Sequence, residues 1–171
     1  MPAGKSVFMA REKLVLASTS PRRKQLLESL GIPFTAFSPN VAEPEPEPFE
    51  APGEFSLRCA ELKNRACEIS DAVVLSADTI VSIDGKILGK PENDTEALAM
   101  LHRLNGRTHT VFTSFCLRGF NNRMHSEICS ASVTFAKWPE ETLLAYVNTG
   151  ECLDKAGAYA VQGREIGRAV R

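Results

Sequence analysis

Apolar residues recur along this chain in two spacings, short strand-like runs and helix-like faces, and their order predicts the architecture. Leu14, Val15 and Leu16 read as a buried strand. A helix follows from Pro21 to about Leu30, with Ser20 as its N-cap and Pro21 at the first helical position, where a missing N–H costs nothing. Pro33 to Phe37 reads as a second strand. The connection Pro39 to Pro52, containing NVAEPEPEPFEAP, is too proline-rich for a helix or a central strand. Glu54 to Ile69 fits an amphipathic helix that buries Phe55, Leu57, Ala60 and Leu62 and leaves Arg58, Glu61, Lys63 and Arg65 free for charged work. Val73 to Leu75 is a strand, with Ser76-Ala77-Asp78-Thr79 at or near its end. Asp84-Gly85 turns a hairpin between Ile80–Ile83 and Lys86–Leu88. Asn93 or Asp94 caps a helix that reaches Leu104, and Asn105-Gly106 ends it. Two more strands, Thr108 to Leu117 and Glu127 to Phe135, flank a polar turn, and Pro139 opens a last helix ending near Gly150. Strands interleaved with helices, with one hairpin among them, predict an α/β fold with a mixed sheet.

Composition narrows the function classes. The 171 residues are 43% hydrophobic, enough for one domain or one two-lobed domain. With 20 basic and 21 acidic residues the net charge is -1, which argues against a general nucleic-acid or membrane-surface binder. No run of about 18 apolar residues is present to make a spanning helix. Residues 1–12 read as a leader or the ragged start of the domain, too weak for a secretory signal, so a cytoplasmic location follows by default. The five cysteines, without a CxxC pair, read as reduced and mostly buried thiols. His102, His109 and His125 form no metal-ligand spacing and read as surface or core residues.

Candidate chemistry concentrates in LVLASTSPRRKQ. Ser18, Thr19 and Ser20 offer hydroxyls and backbone N–H groups at a strand end, and a helix N-terminus lies directly after them. Arg22, Arg23 and Lys24 in the first helical turn oppose the helix dipole and repel one another unless an anion neutralises them. Asp78, inside an otherwise strand-like run, is the best single candidate for a catalytic carboxylate, because a strand tolerates aspartate poorly unless it caps, binds metal or handles a proton. Lys63 and Lys90 are cations that could meet phosphate oxygens beside Arg22 and Arg23, and Gln162 could read a base edge through its amide. Glutamates beyond the second strand, on the side of the basic helix start, point to a divalent cation between carboxylate and phosphate.

Taken together and in order, ASTSPRRKQLL, SADTIV, DGKILGKP, LNGRTHTVFT and DKAGAYAVQG resemble the Maf family of nucleoside triphosphate pyrophosphatases across roughly residues 13 to 163. The resemblance implies a fold related to inosine triphosphate pyrophosphatases, with two lobes around a cleft, and hydrolysis of a nucleotide to its monophosphate and pyrophosphate with Mg2+ or Mn2+. Carried over motif by motif, the proton acceptor falls on Asp78, phosphate-side cations on Arg23, Lys63 and Lys90, and an acidic metal-holding residue on Glu43, with Asp78 sharing the metal. Ser18 and Ser20 join the substrate side. Arg22, Thr79 and Gln162 occupy positions associated with base preference, in a combination that resembles the dTTP and UTP branch. A homodimer is left open. Three departures stand out: Ala42 where an acidic residue often precedes Glu43, Ala160 where glycine is common, and an end of the usual domain expected to be missing after about residue 163. The alternative is a catalytically weakened nucleotide-binding protein with a regulatory role in cell division or septum formation.

Overall fold

The computed structural model describes residues 13–160. Gln162 therefore lies outside the described residues, as do residues 1–12. Six strands form one mixed sheet: β1 (Leu14–Ala17), β2 (Thr35–Phe37), β3 (Val73–Ile83), β4 (Lys86–Leu88), β5 (Thr108–Arg118) and β6 (Met124–Thr134). Four helices, α1 (Pro21–Ser29), α2 (Pro52–Arg65), α3 (Asp94–Leu104) and α4 (Glu140–Val147), are joined by a short 3-10 turn at Ala156–Ala158. The strand order is β2-β1-β3-β5-β6, with β4 also pairing to β3. β1 runs parallel to β2 and β3, whereas β4 and β5 are antiparallel to β3.

One consequence of that pairing positions everything else. β1 meets β3 at Val73 to Ser76, and β4 meets it at Val81 to Ile83, on the side away from β5. Between those two contacts, among the described residues, no strand opposes Ala77 to Ile80 on that side, which leaves a gap in the middle of the described sheet. The end of β1 and the end of β4 point into it from opposite directions.

The sequence expectation of a short strand closing before Asp78 needs correction: β3 is one continuous strand of 11 residues, and Asp78 lies at its centre. β5 supports it there, pairing Ala77 with Phe115 and Asp78 with Ser114, so the polar residues do not end the strand. α2 begins earlier than expected, at Pro52, since a proline is well suited to the first turn, and it ends at Arg65 rather than Ile69. Asn64 there turns its amide to the carbonyls of Val74 and Cys116, 3.0 Å from each, which ties the helix end to the sheet. Ser20 occupies the N-cap position of α1, yet its side chain makes no capping bond; its backbone N–H donates instead to Ser18 Oγ at 3.2 Å. Other local expectations hold in place. Asp84 and Gly85 adopt φ values of 53° and 73°, as the hairpin turn requires, and Asn93 caps α3 by accepting from the Glu96 N–H at 3.0 Å.

Buried side chains fall into clusters on either side of the gap. The larger packs Val81, Ile83 and Leu88 against α3, α4 and Tyr159. Smaller ones join Val15, Ala17 and Val74 near β1, and Phe55, Cys59 and Ile80 under α2. Cys59, Cys67, Cys116 and Cys152 are buried free thiols, and Cys129 is exposed. His109 is a core residue, whereas His102 and His125 lie at the surface. Among the described residues no helix is long and apolar enough to cross a membrane.

Candidate active site

The site grows from the gap. Side chains alternate along β3, so Asp78 points to the face covered by α2, where Ser76 Oγ already donates to the Ala60 carbonyl at 2.7 Å. Lys63, in the last turn of α2, meets Asp78 there as a hydrogen-bonded ion pair. A lysine in that turn also sits well against the negative end of the helix dipole. Both side chains are mostly covered, 19% and 13% exposed, without being sealed from solvent.

Arg23 fills the gap from the α1 side. Its Nη1 donates to the Ala77 carbonyl at 2.8 Å and to Ser18 Oγ at 3.2 Å, and its Nη2 donates to Thr79 Oγ1 at 3.3 Å. A planar guanidinium is the side chain that can serve three acceptors in such a fork. Burial lowers its pKa from the ordinary arginine value; the Asp78 carboxylate opposes that shift and Arg22 adds to it. Arg22 itself is exposed. Ser18 is buried beneath Arg23, so the strand-to-helix turn places one of its arginines inside and the other outside.

Lys90 follows the end of β4 and donates to Glu43 Oε1 at 3.1 Å, bridging the proline-rich connection to the far side of the gap. Burial raises the Glu43 pKa, but the hydrogen bond and charge of Lys90, with Lys63 adding its field, outweigh it and hold the carboxyl below its ordinary range. Glu43 is held by Lys90 and Asp78 by Lys63, and the field of Lys63 reaches Glu43 as well. Cys59, beside them, is pushed up to about 11, first by burial and then by the Asp78 charge, and so stays an unreactive thiol. Among the described residues no three metal-ligating side chains cluster.

Of the expected site residues, the structure brings together Ser18, Arg23, Lys63, Asp78, Thr79, Lys90 and Glu43 around one gap. Ser20 contributes its backbone there rather than its hydroxyl. Two supports lie in quoted motifs, DKAGAYAVQG and LNGRTHTVFT, to which no role was given. The Asp154–Ala160 segment reaches the gap through Gly157, whose N–H donates to the Gly89 carbonyl at 3.0 Å and fixes the residue before Lys90. Thr113 on β5 lies opposite Thr79, Oγ1 to Oγ1 at 3.1 Å; in the sequence it closes the LNGRTHTVFT motif.

Comparison with known proteins bears on the fold and the family. The solved Staphylococcus aureus Ham1 protein superposes with a TM-score of 0.52 over 92% of this chain and 91% of its own, at 15% identity, which speaks to the fold alone. The dTTP/UTP pyrophosphatase of Nitratidesulfovibrio vulgaris is 45% identical over 161 residues, spanning 91% of this chain and 75% of the relative. That of Symbiobacterium thermophilum is 46% identical over 156 residues, spanning 90% and 79%. The family model described as Maf-like protein matches residues 13–171, from the strand before the basic turn onward, and the chain belongs to that family.

Proposed function

We propose that this protein is a nucleoside triphosphate pyrophosphatase that hydrolyses dTTP and UTP to the monophosphate and pyrophosphate. The observation that carries the reading is the Lys63–Asp78 pair at an opening in the sheet, with Arg23 and Lys90 at its borders. A carboxylate that can take a proton stands there among cations that suit a triphosphate. The names carried by the relatives supply the substrate class, and the turn holding Arg22 and Arg23 supplies an anion-binding strand end.

In this mechanism Asp78 orients a water toward the α-phosphorus and accepts its proton as the new P–O bond forms and the bond to the β-phosphate oxygen breaks. Lys63 and Lys90 exchange their carboxylate partners for phosphate oxygens and neutralise the leaving pyrophosphate. Removing one such preorganised donor typically costs about 2.7–4 kcal/mol of barrier. Arg23 spends its hydrogen bonds on protein oxygens, so it works through its charge and by holding Ser18, Ala77 and Thr79 in register. Two carboxylates, with no third ligand clustered among the described residues, fit a hard divalent ion that keeps several waters and takes its remaining ligands from phosphates, as Mg2+ does. Glu43 and Asp78 would hold that ion, and bound there it supplies charge neutralisation to the phosphates. Five unpaired cysteines suit a reducing compartment, and we place the enzyme in the cytoplasm as a single domain.

The test is product analysis of dTTP and UTP with Mg2+ or Mn2+. Monophosphate and pyrophosphate in equal amounts are expected, and Asp78→Asn should bind nucleotide yet turn over about 10²–10⁴-fold more slowly. Orthophosphate as the sole product, or undiminished turnover in the variant, overturns the assignment. Binding without turnover in the wild type would favour the regulatory alternative instead.

A further inference from the structure

Thr79 and Asp78 are neighbours on β3 but look to opposite faces of the sheet, and the two faces carry different chemistry. Asp78 and Lys63 hold the face under α2. On the other face Thr79 meets Thr113, both exposed, and the Arg23 Nη2 reaches the same Thr79 oxygen.

An inventory of protons follows from those contacts. Arginine has no acceptor, so Arg23 donates and Thr79 Oγ1 accepts. Thr79 and Thr113 own one hydroxyl proton each, and the bond between them uses one of the two. One proton is therefore left over on an exposed face. A cation donating into one end of a hydroxyl chain polarises it in the direction that carries donor character outward, from Arg23 to Thr79 and from Thr79 to Thr113. The unspent proton then belongs to Thr113. A fully charged phosphate is matched by Lys63 on the other side of the strand. A single neutral hydroxyl donor matches a neutral acceptor, and a carbonyl oxygen is the strongest one that a pyrimidine base offers.

Resting on the proposed pyrophosphatase reading, we propose that Thr113 is a specificity-determining residue that donates its hydroxyl proton to a keto oxygen of the pyrimidine base, with Arg23 and Thr79 fixing the polarity of that donation. Uracil and thymine present such an oxygen where cytosine presents an amino group. The amino group has no acceptor to offer there, and its own hydrogens meet the Thr113 proton.

The experiment compares wild type, Thr113→Val and Thr113→Ser on UTP, dTTP and CTP by kcat/KM for pyrophosphate release. Thr113→Val should lower kcat/KM for UTP and dTTP about tenfold, in line with the loss of one hydrogen bond, while the CTP value holds or rises. Thr113→Ser, which keeps the hydroxyl, should restore the wild-type preference. An equal loss on all three nucleotides, or no loss on any, overturns the inference while leaving the pyrophosphatase reading standing. Wild-type protein that releases no pyrophosphate from any of them overturns that reading itself. Circular dichroism melts of the Thr113→Val and Thr113→Ser proteins separate folding from recognition, and a preference that shifts with unchanged melting supports the inference.

Discussion

Lys63–Asp78 and His109–Tyr159 are both pairs of ionisable side chains lodged against the same sheet, one on β3 and one on β5. The first lies beside the gap, 19% and 13% exposed, and carries two full charges. The second lies under α3 and α4, 3% and 5% exposed, with His109 Nε2 and the Tyr159 hydroxyl 2.6 Å apart and both rings edge-on to Phe135. Burial pushes the His109 pKa down to about 4 and raises that of Tyr159, so this pair stays neutral. Where water and a ligand can reach, the fold keeps charges and matches them to one another. Where they cannot, it keeps hydrogen bonds and discards the charge. The one pair is available for chemistry, and the other locks the segment that leads to Gly157 and hence to Lys90.

The largest expected effect falls on the first pair. Lys63→Ala should slow turnover about 10²–10³-fold and change the midpoint of urea unfolding far less. His109→Phe should do the reverse, with stability at neutral pH lowered by about 1–3 kcal/mol, since the Tyr159 hydroxyl loses its partner, and turnover slowed far less than in Lys63→Ala. If both variants lose activity and stability in the same proportion, the contrast between the pairs collapses.

Next comes the response to acid. A buried neutral imidazole takes up no proton where the unfolded chain's imidazole does, so the His109 contribution is fully present above about pH 6.5 and drains away as the pH falls toward 4. Over that window the loss amounts to about 3 kcal/mol. Urea titrations at pH 7 and pH 4.5 should show it in the wild type, and His109→Phe should flatten it. An unchanged slope in the variant would assign the acid response to other groups.

Of similar or smaller size is Gly157→Ala. Gly157 has φ of 69°, and a Cβ there would come within 3.0 Å of the Val81 side chain. The substitution should cost about 1–3 kcal/mol and raise KM for nucleotide through the Gly89 carbonyl that Gly157 holds. A KM left at the wild-type value would show that the locked segment does not position Lys90. Smallest is Glu43→Gln. Glu43 and Lys90 are 63% and 54% exposed, so stability should move by less than about 1 kcal/mol, while the Mg2+ concentration for half-maximal rate rises. An unaltered Mg2+ requirement would remove Glu43 from the metal site.

Local chemistry made much of the fold legible in the sequence. The Asp84-Gly85 hairpin, the Asn93 cap, Pro21 at the start of α1 and the alternation of β5 each depend on a few neighbouring residues, and each lies where the pattern puts it. β3 was misread because Asp78 and Thr79 look like an ending until β5 is known to pair with them. The site followed the same division. Arg23, Lys63, Asp78 and Lys90 could be named as chemistry-bearing residues. That Lys63 meets Asp78, or that Arg23 reaches Thr79 across 56 positions, is fixed only when α2 and β1 dock on β3. Thr113 closes the LNGRTHTVFT motif, yet its residue type gave it no role, since a threonine in a strand is the ordinary choice.

The gap in the sheet leaves a signature in hydrogen exchange. Val73 donates its N–H to the Lys13 carbonyl on the β1 side, at 2.9 Å, and with a two-residue period the backbone groups of Ala77 and Thr79 look the same way. Arg23 answers the Ala77 carbonyl, but neither β1 nor β4 reaches Thr79. In the middle of an 11-residue strand, then, one amide that no described strand pairs should trade its hydrogen with solvent faster than those of Asp78 and Ile80, which face β5. A nucleotide seated in the opening should slow that exchange, and its arrival can be timed at that single position.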